Sequence, residues 1–187
     1  MNINKVEIGK SHIYRLLYPR NTILVSCIDS DGKANIITLA WSMPVSIDPP
    51  MVAISVSPKR YSHKLIEETK EFVINIPTMD ILEKTAICGK VSGKDCEKFE
   101  KAKLTPTPAK SVKPPLIEEC IAHLECKLVN QSITGDHTLF IGKVVKAHVD
   151  EKVFYEGIFD LKKAKLIYHV GGDRYTSLTP EIMELSI

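Results

Sequence analysis

Short segments rich in apolar and β-branched residues recur along the 187-residue chain, and turn-forming residues separate them. Segments of this length and composition are typical of β-strands rather than of helices. A few helical stretches lie between them. The succession predicts one mainly β domain over residues 1–187, a β-barrel with helical insertions. The predicted strands are Thr22–Ile28, Ile36–Trp41, Met51–Val56, Phe72–Ile76, Ile121–Val129, Leu139–Val149 and Ala164–Val170.

Apolar and polar residues alternate within the later strands, which is the period of a strand with one face in water. In Ile121–Val129 the polar positions include His123 and Glu125, and His148 is polar in Leu139–Val149. We therefore expect His123 and His148 to be surface residues.

Helices and turns are predicted from capping and breaking residues. The segment Asp29–Gly32 is typical of a hairpin turn. The proline-rich stretch 104–115 is predicted to be an ordered surface excursion, since strands resume directly after it. The predicted helices are Ser11–Tyr18, stopped by Pro19; His63–Lys70, capped by Ser62; Met79–Ile87, capped by Thr78 and ended by Gly89; and Asp95–Lys103.

The charge balance argues against several partners. Lys and Arg number 25 against 23 Asp and Glu, so the net charge of +2 provides little attraction for nucleic acid or an anionic membrane. No apolar stretch reaches the length of a membrane span. The N-terminus is too polar for a signal peptide, and five cysteines are an odd count for a disulfide framework. We expect a cytoplasmic protein with reduced thiols.

Familiar catalytic motifs are absent from the sequence. There is no G-x-G-x-x-G, G-x-S-x-G or H-E-x-x-H pattern, and Gly89–Asp95 departs from a P-loop in spacing and in its last residue. That segment is interpreted as a helix end with a turn, or as a weak anion-binding loop. Cys120, His123 and Cys126 lie in a predicted strand, where His123 would point away from both thiols, so no metal site is predicted.

Two loop segments carry groups suited to a ligand. The turn Ser57–Ser62 combines hydroxyls, Lys59, Arg60 and a helix start, which would hold a phosphate well, although an exposed strand-to-helix turn also needs polar residues. His137 lies in a turn before a strand, where a histidine is either simply exposed or functional.

The chain resembles the flavin reductase-like family of FMN-binding split barrels, to which flavoredoxins belong. The resemblance covers about Lys5 to Tyr175. It implies a six-stranded antiparallel split β-barrel with helical insertions, a homodimer, and FMN bound near the dimer interface. The segments that carry it are Asn35–Trp41, Val45–Pro50, Ser57–Ser62, Glu71–Pro77, Ser92–Asp95 with Lys98 and Phe99, and Gly135–Val144.

The resemblance also implies site residues. His137 corresponds to the family's turn histidine near the flavin and the approaching nicotinamide, and it is the candidate catalytic residue. The other implied contacts are Asn35 and Trp41 lining the flavin; Thr38, Leu39 and Ala40 along the isoalloxazine ring; Ser55 and Ser57 on the next strand; Arg60 and Ser62 on the phosphate; Cys88, Gly89 and Lys98 as a second wall; and Tyr168 as a ring-covering aromatic.

Three functions agree with these residues. The first is an FMN-dependent oxidoreductase of the flavin reductase class, with hydride delivered from NAD(P)H. The second is a flavoredoxin-type electron-transfer protein that takes electrons from a redox protein partner. The third is a non-enzymatic binding module. Reduction of the flavin by NAD(P)H separates the first from the second, and a colourless protein that FMN cannot reconstitute would favour the third.

Overall fold

The computed structural model describes residues 4–185, and a seven-stranded antiparallel sheet forms its centre, with strand order β3-β2-β6-β9-β10-β5-β4. Short strands form three smaller sheets. The strands are β1 (Arg20–Asn21), β2 (Ile23–Ile28), β3 (Ala34–Leu39), β4 (Ser42–Ser46), β5 (Met51–Val56), β6 (Glu71–Ile76), β7 (Pro106–Thr107), β8 (Leu116–Ile117), β9 (Ala122–Thr134), β10 (His137–Val149), β11 (Phe154–Tyr155), β12 (Ile158–Phe159), β13 (Tyr168–Gly171) and β14 (Arg174–Thr176).

The sheet curls toward a barrel because its two edge strands are neighbours in the chain. β3 and β4 stand at opposite ends of the strand order, yet only Ala40 and Trp41 separate them. A link of this length spans about 11 Å, so the edges must approach each other. The Trp41 carbonyl accepts a hydrogen bond from the Ser55 amide at 2.9 Å, while no ladder pairs β3 with β5 in the described chain. The expected mainly β fold is confirmed; the main sheet has seven strands instead of the expected six.

β2 lies in the middle of the fold, and every one of its residues is buried. Residues such as Val25 and Cys27 face a core with Ile54, Phe72 and Phe140. Leu24 belongs to a second core on the other side of the sheet. A strand covered on both faces reads as a continuous apolar run, which is why ILVSC is so distinct in the sequence. The hairpin turn after it is confirmed: the Gly32 amide donates to the Asp29 carbonyl at 3.1 Å, with Gly32 at φ +84°.

The helices lie near their predicted positions, but several bounds and caps differ. Ser62 lies inside its helix, because Arg60 is the N-cap, and Gly89 lies inside the next helix instead of ending it. Thr78 precedes a 3₁₀ turn and makes no side-chain cap. The helices are a 3₁₀ helix at Lys10–Leu17, α1 (Tyr61–Thr69), a 3₁₀ turn at Met79–Ile81, α2 (Leu82–Lys90) and α3 (Lys98–Ala102); in the described chain none is long and apolar enough to cross a membrane.

Two predicted strands are wrong in extent. The strand predicted over Ile36–Trp41 ends at Leu39, and an unpredicted strand, β4, follows it and pairs with β5. The strand predicted over Ala164–Val170 begins only at Tyr168, because Leu166 forms an isolated bridge with Thr78 instead.

The prediction that His123 and His148 are surface residues is also wrong. Glu125, on the same expected wet face, is fully buried. The proline-rich segment folds over this face, and the amides of Lys110 and Ser111 donate to the Glu125 carboxylate. His148 Nε2 donates to Glu125 Oε1 at 2.7 Å, and His123 Nδ1 donates to the buried Asn75 Oδ1 at 2.9 Å.

Candidate functional site

A cavity of about 820 Å³ opens beside β3, β5, the start of α1 and the end of α2. Every predicted site residue except Tyr168 lines it. The structure therefore brings together positions that are up to about a hundred residues apart in the chain.

The start of α1 supplies one part of the cavity. The Arg60 amide donates to the Ser57 carbonyl at 2.9 Å, which closes a tight turn and leaves Arg60 as the N-cap. Ser62 follows in the first helical turn and is buried. Free amides at a helix N-terminus, a guanidinium and hydroxyls together form an anion-binding arrangement.

Lys98 adds a second, buried cation. Its ammonium donates to the carbonyls of Ile36 and Cys88, both at 2.7 Å, and the residue is 6% exposed. Within residues 4–185, no carboxylate forms an ion pair with it. Burial lowers the pKa of Lys98, and the charge of Arg60 lowers it further. A buried cation without an acidic partner is costly, and a bound anion would offset that cost.

Asn35 contributes a buried amide beside these cations. Its Nδ2 donates to the Ser62 hydroxyl at 2.7 Å, whereas its Oδ1 is buried and has no hydrogen-bond partner among the described residues. The backbone passes so close at Gly93 that an added Cβ would overlap Asn35 Oδ1. An unpartnered buried oxygen in a cavity wall is an acceptor that a ligand could satisfy.

α2 approaches β3 closely, and this explains Gly89. A Cβ at that position would lie 3.3 Å from Thr38 Cβ, while the Thr38 hydroxyl donates to the Thr85 carbonyl at 2.7 Å. Burial raises the pKa of Cys88 to about 11, so its thiol stays protonated near neutral pH and is unsuited to nucleophilic chemistry.

Trp41 and His137 form another part of the lining. Their ring centroids lie 4.8 Å apart, and His137 begins β10 instead of preceding it in a turn. His137 Nδ1 donates to Asp136 Oδ1 at 2.8 Å, and this hydrogen bond lowers the pKa of the Asp136 carboxyl. The bond fixes the ring tautomer and leaves Nε2 as the nitrogen that can exchange a proton with a ligand.

Tyr168 does not line the cavity, because successive residues of a strand face opposite sides of the sheet. Tyr168 pairs with Asn21 in β13, and its neighbour His169 lines the cavity instead. Tyr18 and Tyr175 also line the cavity, and the sequence reasoning missed both. Tyr175 pairs with His169 across β13 and β14, so these two side chains lie on the same face; the fold places Tyr18 by bringing the N-terminal segment onto β13.

Among residues 4–185, no group of three or more His, Cys, Asp or Glu side chains is arranged to hold a metal ion.

The chain belongs to the flavin reductase-like family: the family model described as "Flavin reductase like domain" matches residues 14–177. Flavoredoxin of Desulfovibrio vulgaris has a similar structure, with a TM-score of 0.86 and 28% identity over 97% of each chain. An FMN-binding domain of a flavin reductase-like enzyme from Shewanella baltica gives a TM-score of 0.82 and 26% identity over 96% of each chain. A flavin reductase of Pseudomonas putida is 28% identical, covering 75% of this chain and 81% of that protein.

Family and neighbours support flavin binding and a flavin-related oxidoreductase or electron-transfer role. The residues that line the cavity also suit a flavin, independently of these similarities. Paired cations, buried hydroxyls and an unpartnered amide oxygen suit a phosphate and polar ring edge, and Leu39, Ala40 and Trp41 offer apolar surface to a planar ring.

Proposed function

We propose that this chain binds FMN in the 820 Å³ cavity and acts as an NAD(P)H-dependent flavin oxidoreductase. The observation that carries the proposal is the buried ammonium of Lys98, held by two carbonyls and lacking an acidic partner in the described chain. A terminal phosphate would provide the missing negative charge, with Arg60 and the α1 N-terminus on its other side. This compact cationic site favours FMN, which ends in a phosphate, over FAD.

When bound, the flavin would accept hydride and pass electrons on. The chain's own residues bind, orient and shield it. Trp41 and Leu39 offer apolar surface that excludes water from a planar ring. His137, oriented by Asp136, can hold or release a proton at Nε2 and stabilise developing negative charge nearby. The sequence contains no dinucleotide-binding fingerprint, so we propose that the nicotinamide enters through the same cavity.

The decisive experiment is an anaerobic titration of the FMN-loaded protein with NADH and with NADPH. The proposal expects the visible flavin absorbance to bleach in single turnover with at least one of them. An FMN-loaded protein that neither nucleotide reduces would contradict the oxidoreductase assignment.

The phosphate site is tested by Arg60→Ala. We expect FMN binding to weaken by about 1.5–3 kcal/mol, the scale of a charge-assisted contact. Arg174→Ala is the matched control, because Arg174 is exposed and does not line the cavity. Equal FMN dissociation constants for the two variants would count against Arg60 as a phosphate ligand.

Electron transfer with a protein partner is the second candidate. The similarity to a flavoredoxin over nearly the whole chain favours it. Such a protein would hold FMN tightly and exchange electrons with a reduced redox protein, while NAD(P)H would leave its flavin oxidised. The titration above therefore separates the two candidates.

We also propose a homodimer, with FMN near the interface. The 3₁₀ helix at Lys10–Leu17 and β4 expose large apolar side chains, among them Leu16 (73% exposed) and Met43 (51%). Ile47, just after β4, is 95% exposed. Leu17 of that helix and Met43 of β4 line one apolar pocket, and exposed apolar groups side by side are typical of a surface that another chain covers. Light scattering that reports a flavin-loaded monomer of the 20.9 kDa chain mass would contradict it.

A further inference from the structure

A buried hydrogen bond joins α1 to the start of β10 behind the cavity. The Thr138 hydroxyl lies 2.8 Å from His63 Nε2, and both residues are buried. The Glu67 carboxylate, which can only accept, lies 3.9 Å from His63 Nδ1. This favours the tautomer with the proton on Nδ1, so the Thr138 hydroxyl donates to Nε2. Neither His63 nor Thr138 lines the cavity.

This hydrogen bond closes the anion-binding turn Ser57–Ser62 at both of its ends. Val56, just before the turn, is the ladder partner of Thr138, and His63 follows directly after the turn. The His63 amide also donates to the Arg60 carbonyl at 3.0 Å. Thr138 thus holds the turn on one side by strand pairing and on the other by its hydroxyl.

The same contact lies one residue from His137. Successive residues of a strand face opposite sides, so Thr138 and Phe140 point into the protein while His137 points to the cavity. The His63 ring packs against Phe140, with centroids 5.0 Å apart. His63 therefore holds the inner side of the strand segment whose outer side carries His137.

A second contact fixes α1 to the same hairpin. Glu67, one helical turn after His63, accepts a hydrogen bond from Gln131 Nε2 at 2.8 Å. Gln131 is the ladder partner of Phe140 between β9 and β10. The contact of Glu67 is exposed, whereas that of His63 is buried, so His63 contributes more to the placement of α1 on the hairpin.

We propose that His63 is a positioning residue for the proposed flavin reaction, because through Thr138 it fixes His137 relative to the anion-binding turn. A ligand that spans Arg60 and His137 needs these two groups at a constant separation, and they belong to different elements of the fold. The inference rests on the proposed function and adds to it a residue outside the cavity.

Thr138→Val tests the contact, since it removes the hydroxyl and keeps the shape of the side chain. We expect NADH or NADPH to reduce the FMN-loaded variant about fivefold more slowly than the wild type in anaerobic single turnover. Thr138→Ser keeps the donor and His63→Gln keeps an acceptor, so both should stay within about twofold of the wild-type rate. Thr69→Val is the matched control, because it removes a hydroxyl that donates to the Leu65 carbonyl at 2.7 Å near the other end of α1.

A double-mutant cycle with His137 separates positioning from support of the fold. If His63 acts through His137, Thr138→Val should slow flavin reduction less than about twofold in a His137→Asn background. A contact that only supports the fold would lower the melting temperature and leave the rate unchanged. The double variant His63→Leu/Thr138→Val removes both buried polar groups together, so it leaves no unpaired group and replaces Thr138→Val should that variant not fold.

Trp41 provides a measurement that needs neither flavin nor turnover. It is the single tryptophan of the chain, and its ring centroid lies 4.8 Å from that of His137. Displacement of His137 therefore changes Trp41 emission in the flavin-free protein, and His137→Asn gives the emission without the histidine. We expect Thr138→Val to shift the emission toward that of His137→Asn, and Thr69→Val to leave it unchanged.

The inference is overturned if the folded variant lacking the contact reduces flavin at the wild-type rate, if its rate defect persists undiminished with His137→Asn, or if its Trp41 emission equals that of the wild type. Failure of the proposed function gives a different result, because the wild type itself would then bind no FMN or would stay oxidised with both nucleotides. The emission of the flavin-free variants tests the placement of His137 in that case too.

Discussion

Two regions of this molecule are rich in charged and polar residues, but their polar groups differ in whether they find partners within the chain. The cavity gathers Arg60, Ser62 and Lys98, while the far end of the β9–β10 hairpin gathers His123, Glu125 and His148. In the hairpin, every polar partner comes from the chain itself. In the cavity, Lys98 has no acidic partner and Asn35 Oδ1 has no donor within the described residues.

The difference separates polar groups that support the fold from polar groups available to a ligand. Burial raises the pKa of Glu125, but hydrogen bonds from His148, Lys110 and Ser111 outweigh that effect, and the net pKa is lowered. Its charge is therefore fully satisfied by protein groups. A satisfied network stabilises the native state, whereas an unsatisfied one costs stability until a ligand arrives.

The largest expected effect is on the hydrogen-bond network of Glu125 in the hairpin. Glu125→Ala leaves His148 and two loop amides without their acceptor, and we expect a loss of about 3–5 kcal/mol of unfolding free energy. Urea denaturation of the flavin-free protein measures it. Glu151→Ala is the control, because Glu151 is exposed and makes no ion pair in the described chain. Equal unfolding free energies for the two variants would show that the hydrogen bonds of Glu125 do not stabilise the fold.

The second prediction concerns the stability of the fold at acidic pH. Burial, with the charge of the nearby His148 as a second cause, lowers the pKa of His123 from 6.5 to about 4. Between these values the unfolded chain binds a proton that the folded chain does not, so stability is complete above pH 6.5 and falls toward pH 4. The loss amounts to as much as about 3 kcal/mol.

Urea denaturation across that pH range checks the prediction, with His123→Gln as the comparison. Glutamine can still donate to Asn75 but does not titrate, so the variant should lose less stability on acidification. Parallel pH profiles for variant and wild type would exclude His123 as the cause.

In the cavity, Lys98→Met should weaken FMN binding without lowering the stability of the flavin-free protein. We expect FMN affinity to fall about thirtyfold, or about 2 kcal/mol, because a charge-assisted contact is lost. The flavin-free protein should be as stable as the wild type or more stable, since a buried cation is removed. Lys101→Met, on the exposed side of the same helix, should change neither quantity. A Lys98→Met protein that binds FMN normally would remove the basis of the proposed phosphate site.

The smallest effect is expected at His137, where the ring contacts Trp41 and Asp136 but supports no core residue. His137→Asn should lower the rate of flavin reduction or the FMN affinity about tenfold, roughly 1.4 kcal/mol, with the melting temperature nearly unchanged. His12→Asn, on the exposed 3₁₀ helix, provides the control. A drop in melting temperature alone would make the role of His137 structural.

Sequence alone determined the elements whose signals are local. The apolar runs of β2 and β5, the Asp29–Gly32 turn and the helix after Arg60 follow from strand composition, turn chemistry and helix patterning, which depend on residues a few positions apart. The site residues that the family resemblance implied, Tyr168 excepted, also line the cavity, because family motifs mark loops and strand ends that face a ligand.

Only the tertiary structure decided which polar faces are wet. Alternation along β9 distinguishes two faces of the strand. The proline-rich segment folds over Glu125 and keeps water from the polar face at that point. No local sequence pattern predicts this burial. The same holds for Tyr18 and His169, which meet at the cavity because the N-terminal segment pairs with β13, nearly 150 residues away. Burial and pairing of this kind depend on contacts distant in the chain, so the physical reason is the fold itself.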